Sequence, residues 1–117
     1  MAGKVDIREY LRKIENGLNE LYSNKFDLSK YKYRDETPKA YESLINGLKK
    51  NNLQFISKGL NDLYKYTNPD IKENEIKKNY GKEKVILKLF YGISGTVKNM
   101  ADEISKAVAG SDARATA

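Results

Sequence analysis

The nine residues at 14–22, IENGLNELY, return at 56–64 as ISKGLNDLY, and this 42-residue repeat constrains the fold more than any other feature of the chain. Six of the nine positions are identical, and Glu20 is exchanged for Asp62. In both copies the apolar side chains recur at spacings of three and four, which is helical and not strand periodicity. At the same offset Leu11 falls on Leu53, Leu44 on Ile86, Ile45 on Leu87 and Leu48 on Phe90. A duplicated helical hairpin accounts for this pattern. One such hairpin cannot bury its apolar face alone, whereas two packed together form a four-helix bundle. Two copies fall short of the three that a solenoid needs. The expected fold is therefore all-α: a single helical domain over 1–109, with repeat 1 about 5–50, repeat 2 about 51–108 and a polar C-terminal tail at 110–117.

Within that frame the first helix is expected over about 5–23, with Val5, Leu11, Ile14, Leu18, Leu21 and Tyr22 on one stripe. Gly17 and Gly59 each cost a helix interior about 1 kcal/mol, so their repetition predicts close helix approach. The segment 23–36 reads as a loop anchored by Phe26 and Leu28. Thr37 followed by Pro38 is a helix start, the hydroxyl capping and the proline filling the first helical position. KKNN at 49–52 reads as a short turn or a polar patch within a longer helix, and TNPD at 67–70 as a stop that begins a further short helical stretch. Residues 70–82 are polar and Lys-rich.

The most apolar segment, KVILKLFYGISGTVKNMADEISKAV at 84–108, allows two readings. Its β-branched and aromatic start suits a strand near 84–92, which would make the fold α+β. LFYGISGTVKNMADEI resembles the first strand, phosphate loop and first helix of flavodoxin-type FMN domains. That resemblance implies that Ser94, Gly95 and Thr96 offer hydroxyls and backbone N–H groups to a phosphate at a helix N-terminus. It departs from the family pattern by one missing loop residue between Gly92 and Gly95, and the chain holds no further strands for such a sheet. The leading reading is one long helix through both glycines, which mark a kink or a close-packing site, and no cofactor is expected.

Composition excludes much chemistry. The chain has no histidine and no cysteine, which removes the usual general base, the thiol nucleophile and the common zinc ligands. No constellation of residues asks for an enzyme. There is no apolar signal core at the N-terminus and no apolar run long enough to span a membrane, so a cytoplasmic location, or one within a virion, is expected.

Charge points instead to binding. The 22 Lys/Arg against 16 Asp/Glu leave a net charge of +6. Residues 1–50 hold 11 basic and 8 acidic side chains, and the remainder hold the same, so the excess belongs to the body. KYKYR interleaves Lys30, Lys32 and Arg34 with Tyr31 and Tyr33, combining cations for phosphate with rings that stack on bases. KKNYGKEKVILK adds Lys77, Lys78, Lys82, Lys84 and Lys88; on one helix Lys77, Lys84 and Lys88 would share a face, as would Lys78 and Lys82. The expected function is that of a small, basic, non-enzymatic protein that self-assembles into a homo-oligomer and holds a polyanion, nucleic acid foremost, in a viral, phage or nucleoid-type role. The alternative is a protein-interaction module such as an inhibitor, immunity factor or assembly chaperone.

Overall fold

The structure is a computed structural model that describes residues 6–72 and 74–116, with side chains described as far as Val108. Val5 of the expected first helix and the side chains of the 110–117 tail lie outside the described residues. Among the described residues five helices follow one another: α1 (Ile7–Leu21), α2 (Glu36–Lys49), α3 (Leu53–Thr67), α4 (Glu75–Tyr80) and α5 (Lys84–Thr116). The fold is an all-α bundle, with no strand among the described residues. Residues 84–92 are helical, so the α+β alternative falls. Ile86 and Phe90 within this segment, with Ile93 and Val97 beyond it, fill the core at helical spacing. α5, with 33 residues and a rise of 1.5 Å per residue, is about 50 Å long. It spans the 52 Å long axis of the molecule.

The tight pair is α2 with α3, joined by a turn that KKNN spells out. Asn51 takes the left-handed conformation at φ 52°, which asparagine tolerates better than most residues. The Asn52 N–H donates to Gly47 O at 2.9 Å and the Asn51 N–H to Leu48 O at 3.2 Å, the bond pattern of a Schellman motif. Asn52 then caps the next helix, its Oδ1 accepting from the Phe55 N–H at 3.2 Å. Past the turn the backbones nearly touch. A Cβ on Gly59 would lie 2.9 Å from Leu44 Cα, and one on Gly47 would lie 2.8 Å from Ile56 N.

Gly17 serves the α1–α5 contact in the same way, since a Cβ there would meet Ile93 Cγ1 at 2.6 Å. The two repeated glycines thus both stand at helix crossings. The partners follow a different register: Leu44 faces Gly59 and Ile93 faces Gly17, a step of 49 residues and not 42. α3 also packs on α5, while α1 and α2 pack only loosely and leave a cleft lined by Leu18, Tyr22, Pro38 and Tyr41. Gly92 and Gly95 are exposed and a Cβ on either would meet nothing within 4 Å, so they pack no neighbour within the described chain.

Two start signals are displaced. α2 begins at Glu36, before Thr37, whose hydroxyl is buried and engaged elsewhere. Asn68 closes a local turn, its Oδ1 accepting from the Asp70 N–H at 2.8 Å, and helix resumes only at Glu75. The short α4 had no counterpart in the periodicity, yet it buries Ile76 and Tyr80.

Candidate functional site

KYKYR (30–34) lies in the connection between α1 and α2. Its backbone is pinned at both ends. The Tyr22 hydroxyl donates to Arg34 O at 2.8 Å, and the Asn79 side-chain amide of α4 donates to Lys30 O at 3.1 Å. The second bond sets α4, with Lys77 and Lys78, beside the loop that carries Lys30, Lys32 and Arg34.

Tyr31 overturns the expectation of an open stacking ring. It is 3% exposed, and its ring meets Phe90 edge-on at 5.0 Å between centroids. Its hydroxyl lies 2.6 Å from Thr37 Oγ1 and donates to Tyr66 O at 2.7 Å. Thr37 Oγ1 lies 2.8 Å from Tyr33 O, which already accepts the Thr37 N–H. With one proton per hydroxyl, satisfaction is complete when Tyr31 donates to Tyr66 O and Thr37 donates to Tyr31. Burial pushes the Tyr31 phenol far above its ordinary range and the Tyr22 phenol up to about 12. Tyr31 is thus a core residue, and a nucleobase cannot reach it without local unfolding.

Tyr33 keeps a partly open ring. It stacks on Tyr66 at 4.6 Å and 26° between planes, and Lys32 Nζ stands 5.5 Å from its centroid. Beside it opens a pocket lined by Tyr33, Lys65, Ile71, Lys72 and Glu75. Lys65 closes the last turn of α3 and Lys72 follows the Asn68 turn. Three chain segments therefore bring cations towards one aromatic side chain. Sequence reasoning missed Lys65 and Lys72: Lys65 sits between Tyr64 and Tyr66, the same alternation as Tyr31–Lys32–Tyr33, and that signal could have found it, whereas Lys72 is one lysine among several in a Lys-rich segment.

The second basic cluster does not lie on one helix. The helix breaks at 81–83, where the Glu83 N–H turns back to Tyr80 O at 2.9 Å. Lys77 and Lys78 therefore belong to α4, Lys82 to the linker, and Lys84 and Lys88 to α5; Lys84 and Lys88 keep the shared face of an i, i+4 pair, while Lys77 with them, and Lys78 with Lys82, do not share one helix. All five are exposed. Lys88 lines a groove against α1 and not the pocket at Tyr33. Arg34 Nε stands 3.6 Å from Asp35 and Lys77 Nζ 3.7 Å from Asp70, loose exposed pairs of little energetic weight. Lys30, Lys32, Lys78, Lys82, Lys84 and Lys88 make no ion pair among the described residues.

The Ser94–Gly95–Thr96 segment is the interior of α5 and not a loop. The Ser94 hydroxyl donates to Tyr91 O at 3.3 Å and that of Thr96 to Gly92 O at 2.8 Å. This backbone bonding occupies the groups that a phosphate loop would present. The likeness to an FMN phosphate loop thus ends at the sequence. Among the described residues no cluster of carboxylates could hold a metal ion, and no helix is long and apolar enough to cross a membrane.

No protein-family model matches the chain, and neither a curated protein nor a solved structure matches it.

Proposed function

We propose that this chain is a small, non-enzymatic, self-assembling protein that binds a polyanion, nucleic acid foremost, through the face around Tyr33. The convergence of Lys32, Lys65 and Lys72 on that half-buried ring carries the reading. Cations that neutralise phosphates beside an accessible aromatic suit a single strand held without sequence preference. Lys30 and Arg34 extend the face along the loop, and Lys77 and Lys78 border it from α4. A viral, phage or nucleoid-type role fits such a body, with the bundle acting as a rigid holder.

The test is the affinity of a fluorescein-labelled single-stranded oligonucleotide for the wild type and for a variant carrying Lys30→Glu, Lys32→Glu and Arg34→Glu. All three side chains are exposed, so the variant is expected to keep its helical circular dichroism and lose binding. Undiminished binding by a folded variant would contradict the assignment.

A second reading, a protein-interaction module, is favoured by Leu53 and Phe55, which are 46% and 49% exposed at the start of α3. Salt separates the two, because phosphate contacts weaken steeply with ionic strength while an apolar interface does not.

A further inference from the structure

A groove of about 400 Å³ runs between α1 and α5 and shares no lining residue with the pocket at Tyr33. Its apolar lining comes from Val85, Leu89 and Ile93. Val85 is 67% exposed, the most open of the large apolar side chains. Gly17 and Gly92 also line it, and the space where a Gly92 Cβ would stand is open for at least 4 Å. Lys13 of α1 and Lys88 of α5 contribute the charges, and no carboxylate among the described residues lines the groove.

We propose that this groove docks an amphipathic helix of another protein, one carrying carboxylates on both sides of its apolar stripe. From Val85 to Thr96 the α5 wall spans 12 residues, about 17 Å, the length of three turns of a partner helix. A partner of that length presents anchors at i, i+3, i+4 and i+7 to an apolar floor. The missing Cβ at Gly92 lets its backbone come close. Such an exposed glycine otherwise costs α5 about 1 kcal/mol with no internal contact in return. The lysines on the two helices then meet the flanking carboxylates, setting register and orientation. A second copy of this chain is disfavoured, since its own Lys84 and Lys88 would bring like charge against Lys13 and Lys88. A nucleic acid strand is disfavoured by an aliphatic floor with no ring to stack on. The proposal gives the protein-interaction reading a defined surface and partner. It uses neither Tyr33 nor the α3 face at Leu53 and Phe55, so its failure leaves those separately testable.

The probe is a fluorescein-labelled three-turn helical peptide with leucine at i, i+3, i+4 and i+7 and glutamate on both flanks, titrated with the full chain. The wild type is expected to bind it and to ignore the same peptide with lysine on the flanks. Combining Lys13→Glu with Lys88→Glu should weaken the glutamate peptide at least about 10-fold and admit the lysine peptide. Gly92→Leu should fill the notch and block the glutamate peptide while keeping or raising thermal stability, since open space surrounds the site. Oligonucleotide affinity should survive Gly92→Leu. The proposal is overturned if the wild type leaves the glutamate peptide unbound, or if Gly92→Leu binds it unchanged, which would indicate a mere charge patch. It is equally overturned if Gly92→Leu also abolishes oligonucleotide binding. Dimers that Val85→Lys splits, with no peptide bound, would assign the groove to a second copy and overturn it as well.

Discussion

At the residue scale, Tyr31 separates what KYKYR says from what it does. The alternation of cation and aromatic is real, but its first ring is spent on the core and only the second faces outward. The reason is Thr37: a buried hydroxyl at the start of α2 needs a partner, and Tyr31 supplies one while covering Phe90. Tyr31→Phe should therefore cost about 1–3 kcal/mol of folding stability, the range for a buried hydrogen bond with partners left unpaired. Denaturant midpoints would measure this. The same variant should bind an oligonucleotide as the wild type does. The proton linkage has a definite sign. A phenol held neutral above its ordinary value of about 10 contributes stability that is present below that pH and lost as pH rises through it. With Tyr22 near 12 and Tyr31 above its ordinary range, the wild type should lose stability above pH ~10, and Tyr31→Phe should lose it less steeply. A Tyr31→Phe protein as stable as the wild type would contradict the core assignment.

At the scale of the element, the helices were largely legible and their partners were not. The repeat of Gly17 and Gly59 announced close approach, because a mid-helix glycine needs a packing reason, and both glycines do sit at crossings. The break after Tyr80 was illegible. Residues 70–82 show no apolar period, and α4 buries Ile76 and Tyr80 while its Asn79 side chain bonds to Lys30 O. At the glycine crossings Ile93 and not Ile86 takes the place corresponding to Leu44. The glycines themselves supply the test. Gly59→Ala drives a methyl into the Leu44 backbone and should destabilise by about 1–3 kcal/mol, the usual cost of overpacking. Gly92→Ala and Gly95→Ala should instead stabilise, by up to about 1 kcal/mol each, through helix propensity alone. Thermal melts of the three variants check the ordering, and a well-tolerated Gly59→Ala would contradict the close α2–α3 crossing.

For the whole molecule, the +6 charge was readable but its arrangement was not. Sequence proximity grouped Lys88 with Lys77, while the fold sends Lys88 to the α1–α5 groove and brings Lys65 and Lys72 towards Tyr33 instead. Contacts of this kind, between residues far apart in the chain, depend on where α3 ends, which TNPD marks, and on where α4 docks, which no local pattern records. The bundle consequently offers two separate surfaces, one cationic around a tyrosine and one aliphatic between lysines. The most direct test of the first is the salt dependence of oligonucleotide affinity for the wild type beside a Lys65→Gln, Lys72→Gln double variant. The account predicts a linear fall of log affinity with log salt, with a slope shallower in the variant by ~1.4, two contacts at ~0.7 each for a single strand. A slope identical in both proteins, or an affinity indifferent to salt, would contradict it.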